Sequence, residues 1–325
     1  MACVLYFGGD KLSLITAKPS VNQTFVTKSW AGLPYSGIVG GEFVDSSELP
    51  KIVSKLVSSV TLPTLSKLTV AVPPCFCSVK VTQEKISLKK PKKITQKDVT
   101  DLLNGGRAVY FKIDGGKPIL DAVGYDAKNI LEANVSHLAI APEFCDAVNN
   151  CVGRKFAKVE FIPTVLAEAT YLIDTYVRDA TCVLLSCKMF TTTVAVISGD
   201  QLVALETVEM GTAHVINDIS LVLNVNYNLA KEMLDRNDPS VTEIVTARIE
   251  DLAEQLLTAI NATDKTLFNR PFFMGGGHID AIPTVHEILE GVLDVKIVPL
   301  VHPLTESNDP DGVSRDAVIS TALFN

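Results

Sequence analysis

A run of three glycines follows an apolar segment near the end of the chain, in the sequence Phe272-Phe273-Met274-Gly275-Gly276-Gly277-His278-Ile279-Asp280. The pattern predicts a buried strand, a turn without side chains and the start of a helix. Glycine lets a ligand approach the backbone closely, and the N–H groups at the start of a helix attract anions. The three glycines are therefore candidates for binding a nucleotide, although a tight strand-to-helix turn without any ligand explains them as well.

The composition excludes several classes of function. The chain has 325 residues, 47% of them hydrophobic, which suffices for two packed domains. A net charge of −8 argues against general binding to nucleic acid, and no apolar run is long enough to span a bilayer. The first residues do not resemble a secretion signal. The odd number of cysteines, without a CxxC pair, favours reduced thiols in the cytoplasm over disulfides or a zinc site.

The elements that position the glycine turn are predicted to occur twice. In the first half, strands at 4–7 and 12–16 flank a turn at Gly8-Gly9, followed by a third strand at 24–27, a helix at 47–60 and a strand at 68–72. In the second half, the equivalent strands are at 182–185, 191–197 and 202–208, and a helix spans 211–223. Because one series of elements recurs about half a chain later, we predict an internal duplication.

A segment of different character separates the two halves, and we predict that it forms a small inserted subdomain over 79–150. It contains an alternating, lysine-rich strand, a short helix that opens near Thr95, a strand at 136–141 and a helix at 142–151. We assign 1–78 and 151–178 to the first half, 179–228 and 270–325 to the second half, and 229–269 to a reduced helical subdomain.

The order of these motifs resembles the actin-like ATPase superfamily, and within it the FtsA-like and PilM-like proteins of bacterial cell division and pilus assembly. The matching runs are Tyr6-Phe7-Gly8-Gly9-Asp10-Lys11 and Ser186-Cys187-Lys188-Met189-Phe190-Thr191 at the two phosphate turns, Ile94-Thr95-Gln96-Lys97-Asp98-Val99 in the insertion, Gly211-Thr212-Ala213-His214-Val215-Ile216-Asn217-Asp218-Ile219 after the second hairpin, and Met274-Gly275-Gly276-Gly277 at the adenosine motif. The resemblance covers essentially the whole chain. It implies an α/β fold, a duplicated ribonuclease-H-like actin fold with a small α+β insertion in the first half and a reduced helical subdomain in the second.

The phosphate turns depart from the pattern of that superfamily. Lys188, Met189 and Phe190 replace three glycines of the second turn, and their side chains obstruct the approach of a phosphate. Tyr6 and Ser186 stand where the superfamily has the acids that hold hydrated magnesium. We therefore expect weak or lost ATP hydrolysis. Because Lys188 can offset a phosphate charge, ATP binding without a metal stays open, whereas magnesium is doubtful.

The resemblance also implies candidate ligand contacts, namely Gly8, Gly9, Lys188, Gly211, Gly275, Gly276 and Gly277, with no catalytic and no metal-binding residue. It implies a cytoplasmic scaffold that works through protein partners and as a homo-oligomer, and that reaches the inner face of the cell membrane indirectly, through a partner. The inserted subdomain is the expected contact surface. The alternative is an active ATP-binding switch or filament protein. The chain ends shortly after a predicted closing helix at 314–323, without the terminal membrane helix of FtsA.

The densest basic run of the chain lies in the predicted insertion and comprises Lys85, Lys89, Lys90, Lys92 and Lys93. Such a run can dock an acidic partner or a membrane surface. It can also protect an exposed edge strand from pairing, since lysine and the intervening proline both discourage strand addition. The pattern favours the protected edge strand.

Overall fold

A computed structural model describes residues 2–8, 11–19, 25–39, 42–61, 67–276, 279 and 282–300. Within these ranges the chain forms two five-stranded sheets, a three-stranded sheet and two short strand pairs. Gly9, Gly277 and His278 lie outside the described residues, as does the predicted closing helix at 314–323. None of the described helices is long and apolar enough to cross a membrane.

The first sheet combines an antiparallel hairpin with parallel strands. Its members are β1 (Ala2–Phe7), β2 (Lys11–Pro19), β3 (Phe25–Pro34), β6 (Lys67–Val72) and β12 (Lys158–Pro163), while β4 (Ile38–Val39) and β5 (Glu42–Phe43) form a separate pair. The spatial order is β12-β6-β1-β2-β3. β1 runs antiparallel to β2 and parallel to β6, which confirms the predicted opening hairpin.

The second sheet repeats the plan of the first. Its members are β13 (Cys182–Cys187), β14 (Thr192–Ser198), β15 (Gln201–Val208), β16 (Phe272–Gly275) and β17 (Ile297–Pro299). The spatial order is β15-β14-β13-β16-β17, with β13 antiparallel to β14 and parallel to β16. Each strand therefore has a counterpart in the first sheet, with the same direction and the same place. The predicted duplication is confirmed.

Nine α-helices lie within the described residues, and most of them cover the two large sheets. They are α1 (Leu49–Ser59), α2 (Gln96–Leu103), α3 (Pro142–Val152), α4 (Thr164–Leu172), α5 (Thr175–Asp179), α6 (Thr212–Leu223), α7 (Tyr227–Asp235), α8 (Thr242–Thr263) and α9 (Pro283–Leu293). In the second half, α6, α8 and α9 bury apolar side chains on one face of the sheet. The crossover helix α4, which follows the first sheet, packs on the opposite face.

A small unit, residues 77–140, has a core of its own. Its sheet has the order β7-β11-β9, built from β7 (Cys77–Ser87), β9 (Arg107–Ile113) and β11 (Ile130–Ile140). The strand β8 (Lys92–Lys93) pairs with β10 (Asp126–Ala127). Side chains of α2 and of the sheet, including Val99, Leu102 and Leu131, form the core of this unit.

The helix α3 follows the small unit directly but belongs to the core of the first half. Its buried side chains Phe144, Val148 and Val152 pack with α1 and the first sheet. The predicted insertion, which runs to residue 150, included this helix. Its apolar spacing shows that one face is buried, but spacing alone does not tell which sheet that face covers.

The small unit also contacts the second half. The Ser136 hydroxyl, on β11, donates a hydrogen bond of 2.5 Å to the carbonyl of Leu202 on β15, and Ser136 is buried there. A unit that is inserted in the first half thus packs against the edge strand of the second sheet. Through this unit, the two halves are connected at a point separate from the crossover helix.

Candidate functional site

The two predicted phosphate turns occupy equivalent places, one in each sheet. In the first, the Gly8 N–H donates to the Lys11 carbonyl at 2.8 Å. In the second, which we call the β13–β14 turn (residues 188–191), the Lys188 N–H donates to the Thr191 carbonyl at 2.8 Å. Both turns therefore close with the same backbone hydrogen bond, and Gly8 and Lys188 are structural counterparts. The backbone of this turn forms without the glycines that the superfamily has there.

The start of α6 lies against the backbone of the β13–β14 turn. A Cβ atom on Gly211 would lie 2.3 Å from the Lys188 carbonyl oxygen and 2.7 Å from that of Met189. Real side chains do not tolerate such distances, so only glycine allows this close approach. The packing of two backbone segments therefore explains Gly211 without a ligand.

The first four N–H groups of this helix start are all hydrogen-bonded within the protein. The acceptors are His214 Nδ1 for Gly211, the Lys188 carbonyl for Thr212, the Met189 carbonyl for Ala213 and the Gly211 carbonyl for His214, at 3.1, 3.1, 2.7 and 3.0 Å. A helix start binds phosphate through N–H groups that have no other acceptor. Here the protein supplies the acceptors itself. The buried Thr212 hydroxyl alone lacks a partner at this start among the described residues.

The side chain of Lys188 is held by an acid that the sequence analysis did not select. Its ammonium lies 3.0 Å from Oε1 of Glu168 on α4, and the Ser186 hydroxyl donates to Oε2 of the same carboxylate at 3.2 Å. Glu168 is 1% exposed and Ser186 is fully buried. Both carboxylate oxygens therefore have partners, and the charge of Lys188 is balanced inside the protein.

The positions that carry acids in the superfamily do not suit a hydrated cation here. Tyr6 and Ser186 are buried, and neither is an acid. Over the described ranges, no cluster of three or more histidine, cysteine, aspartate or glutamate side chains is arranged to hold a metal ion. Asp218, an acid on α6, pairs with Arg248, whose Nη2 lies 2.9 Å from Asp218 Oδ1. These residues do not fit a magnesium site.

Gly276 packs against the end of β13. A Cβ atom there would lie 1.9 Å from the Cys187 carbonyl oxygen, and the backbone has φ +126°, a conformation that favours glycine. Gly275 is less constrained, since its added Cβ would first meet a side-chain carbon of Leu300 at 3.1 Å. The next helix, α9, begins only at Pro283. Whether a helix starts directly after the glycines stays a prediction, because most of residues 277–281 lie outside the part of the chain that the structure describes.

The structure brings Lys188, Gly211 and Gly276 together at one short piece of backbone, residues 187–189. Gly8 lies in the hairpin of the first sheet, and Gly275 ends β16 beside Leu300. Glu168 is the functional candidate that the sequence analysis missed. Its signal was a single acid within the apolar run Val165-Leu166-Ala167-Glu168-Ala169 of a predicted helix.

No family model and no curated protein sequence matches this chain. Among solved structures, it is similar to the PilM–PilN type IV pilus biogenesis complex, with a TM-score of 0.67 and 14% identity over 99% of this chain and 96% of that one. The chain has the actin-like fold. Identity at this level shows the fold alone.

Two further solved structures agree with this actin-like fold. The ethanolamine utilization protein EutJ from Carboxydothermus hydrogenoformans has a TM-score of 0.57 and 14% identity, over 100% of this chain and 89% of that one. MreB5 of Spiroplasma citri, bound to AMPPNP, has a TM-score of 0.58 and 9% identity, over 99% and 95%. Actin-like proteins with this architecture thus include one that holds a nucleotide, so ATP is a chemically reasonable ligand to test.

Proposed function

We propose that this protein is an FtsA-like or PilM-like scaffold in a bacterial cytoplasmic assembly at the cell envelope. It acts through protein contacts, and its nucleotide hydrolysis is weak or lost. Cell division and pilus assembly are the two settings in which such scaffolds work. The chain associates with the inner face of the cell membrane indirectly, through its protein partners.

The observation that carries this proposal is the occupied start of α6. The carbonyl groups of Lys188 and Met189 accept the N–H groups of Thr212 and Ala213, which would otherwise be free to bind an anion. Phosphoryl transfer depends on positioned donors and on metal ions that neutralise charge. A turn that satisfies these donors, together with the missing acids at Tyr6 and Ser186, supports a protein that does not hydrolyse ATP.

Contacts between the two halves support a scaffold over a switch. Actin-like switches need halves that open and close around their ligand. Here the small unit packs on β15 through the buried hydrogen bond of Ser136 to Leu202, and α4 is anchored on the second sheet by its apolar side chains and by Glu168. Opening would expose apolar side chains of α4 and break the hydrogen bond between Ser136 and Leu202, which makes a wide movement costly.

A protein partner follows from the same proposal. The similar PilM structure is a complex with PilN, and a scaffold without catalysis must act by binding other proteins. We assign the contact surface to the inserted subdomain and expect the chain to self-associate. Sedimentation velocity over a range of protein concentrations tests the homo-oligomer, and a single monomeric species at every concentration would contradict it.

Calorimetric titration with ATP tests the nucleotide part of the proposal. The purified full chain is titrated with and without magnesium, and phosphate release is followed in parallel, with an actin-fold protein that binds AMPPNP as the positive control. We expect no magnesium-dependent binding of ATP in the micromolar range. The rate of phosphate release should not exceed the rate measured in buffer without protein. Micromolar binding that requires magnesium would overturn the scaffold proposal in favour of the alternative, an ATP-dependent switch.

A further inference from the structure

The charge of the chain is distributed unevenly between the small unit and the rest. Residues 77–140 contain 11 of the 29 basic side chains and 7 of the 37 acidic ones, a net charge of +4. The remaining residues carry a net charge of −12. An anionic partner surface would therefore attract one end of the molecule and repel the other, so that the protein approaches such a surface in one orientation.

The excess positive charge of the small unit lies in two segments that are adjacent in space. Residues 88–98 and 116–128 together hold seven lysines and three aspartates, which accounts for the whole net charge of +4. The two segments meet where β8 pairs with β10, with Lys93 opposite Asp126. Lys85 lies on β7, an edge strand of the three-stranded sheet, but Lys89, Lys90 and Lys93 follow that strand and are exposed, so protection of its edge does not explain them.

Large apolar side chains are exposed beside these lysines. Leu120 is 60% exposed, Val123 37% and Tyr125 53%. The Ile94 N–H donates to the Tyr125 carbonyl at 2.9 Å, so Tyr125 lies across the strand pair from the residue that follows Lys93. We call Lys89, Lys90, Lys93, Leu120, Val123 and Tyr125 the basic–apolar surface.

We infer that the basic–apolar surface docks directly onto an anionic lipid bilayer. Lysines are attracted to an anionic membrane surface, and a tyrosine with an apolar ring and a polar hydroxyl suits the lipid–water interface. The contact goes beyond the proposed scaffold role, in which partners supply the membrane link. It orients the small unit toward the bilayer and the acidic remainder away from it.

A lipid surface fits these residues better than an acidic peptide does. Peptides commonly bind by adding a strand to a free sheet edge, which requires unpaired backbone groups. Here β8 and β10 pair over only two residues each, and so short a ladder is a poor template for an added strand. The basic–apolar surface therefore offers charged and apolar side chains, but no strand along which a peptide could pair. A lipid bilayer, which forms no strand pairing, matches such a surface.

Vesicle flotation with the full chain tests this inference. The protein is mixed with phosphatidylcholine vesicles that contain or lack phosphatidylglycerol, at low salt and at about 0.1 M and higher salt, where screening shortens the range of the attraction. We expect binding to the anionic vesicles only, weakening as salt rises. Absence of binding, or equal binding to both kinds of vesicle, would overturn the inference.

Variants separate this surface from general charge effects. Lys89→Glu/Lys90→Glu/Lys93→Glu is expected to weaken vesicle binding at least about tenfold, since three attractive charges become repulsive. The matched control, Lys28→Glu/Lys51→Glu/Lys55→Glu, changes three exposed lysines of the first half by the same charge. It should keep most of the binding, and an equal loss in the control would refute the assignment. All of these residues are exposed, so thermal unfolding should be unchanged in both variants.

The apolar part of the surface distinguishes lipid from an acidic protein. Leu120→Ser/Tyr125→Ser keeps every charge and should reduce vesicle binding severalfold, because the interface loses two apolar contacts. Polyglutamate, used as a soluble acidic competitor, should not displace the vesicles at moderate salt. If polyglutamate competes fully and the Leu120/Tyr125 variant binds vesicles as well as the unmodified chain does, the surface serves an acidic protein and the lipid assignment is wrong.

Discussion

The ammonium of Lys188 lies 3.0 Å from a carboxylate oxygen of Glu168, in a place where the exposed fraction of the glutamate side chain is 1%. Lys188 stands in the turn that binds phosphate in the superfamily, and Glu168 lies on the crossover helix. The positive charge of Lys188, which a nucleotide-binding protein would direct to a phosphate, is therefore paired with a carboxylate of the same chain. The pair ties α4 to the β13–β14 turn at the centre of the molecule.

Removing one member of this pair should be strongly destabilising. In Lys188→Met the carboxylate of Glu168 stays buried without its cation, and breaking a buried ion pair in this way typically costs about 3–5 kcal/mol. We expect a loss of that size in the free energy of unfolding, measured by urea denaturation. A loss below about 1 kcal/mol, the size of a surface pair, would contradict the buried arrangement.

The double variant Glu168→Gln/Lys188→Met controls for the change in packing. It removes both charges and keeps an oxygen that can accept from the Ser186 hydroxyl, so no buried charge is left without a partner. We expect it to be more stable than Lys188→Met alone, with an interaction energy of at least about 1 kcal/mol between the two sites. Additive losses would show that the two charges do not interact.

The substitution Gly276→Ala tests whether the glycine turn is required for packing. Its Cβ would lie 1.9 Å from the Cys187 carbonyl oxygen, in a backbone conformation with φ +126°. Because backbone must move to relieve this overlap, we expect a loss of about 3 kcal/mol or more in the free energy of unfolding, without any nucleotide present.

Gly275→Ala is the matched control for this effect. The same methyl group would meet only the end of the Leu300 side chain, at 3.1 Å, and that side chain can shift. A loss of less than about 1.5 kcal/mol is expected. If both variants were equally stable in the absence of ligand, the packing explanation of Gly276 would fail, and a role in ligand binding would become the better explanation.

The sheets could be predicted from the sequence because their patterns are local. Runs of apolar and β-branched residues identify β1, β2 and β13 to β15, and the recurrence of one series identifies the duplication. Gly276 was found from the glycine run after a predicted strand, and Gly211 from the resemblance to the actin-like superfamily. Their close approach to residues 187–189 was not, because a clash between segments far apart in sequence leaves no local pattern.

The sequence also did not predict that Lys188 pairs with Glu168, or that α3 packs on the core of the first half. Glu168 is one acid in an apolar helix, and its pairing depends on how that helix crosses the second sheet. The helix at 142–151 was predicted as part of the insertion, but Phe144 packs against Phe7 and Phe76 of the first core, with ring centroids 5.1 and 4.7 Å apart. Tertiary packing decides both cases.

The start of α2 should make stability depend on pH through Asp98. Hydrogen bonds from Lys92 and Thr95 lower the pKa of Asp98 from 3.8 to about 2. The carboxylate accepts from the Thr95 N–H at 2.9 Å, and the Asp98 N–H donates to the Thr95 hydroxyl at 3.3 Å. A lowered pKa means that this stabilisation is fully present above 3.8 and is lost as the pH falls toward 2.

Asp98→Asn is therefore expected to cost about 1 kcal/mol near neutral pH, as the loss of a helix cap does. The difference from the unmodified chain should shrink as the pH falls below 3.8. Asp101→Asn, on the same helix but exposed and outside the cap, is the control. Urea denaturation at several pH values measures both, and a difference that grows toward low pH would have the wrong sign for this mechanism.

The buried thiols of Cys3 and Cys182 and the half-buried thiol of Cys77 should react slowly in the folded protein. Burial raises the pKa of Cys3 and of Cys77 to about 12, and that of Cys182 to about 11. Because the thiolate is the reactive form, almost none is present near pH 8, where a free cysteine is partly ionised. Iodoacetamide labelling followed by peptide mass spectrometry should modify these three cysteines rapidly only after denaturation. Rapid labelling of Cys3 in the native protein would mean that the first core, which contains Cys3 on the central strand β1, opens far more readily than its packing allows.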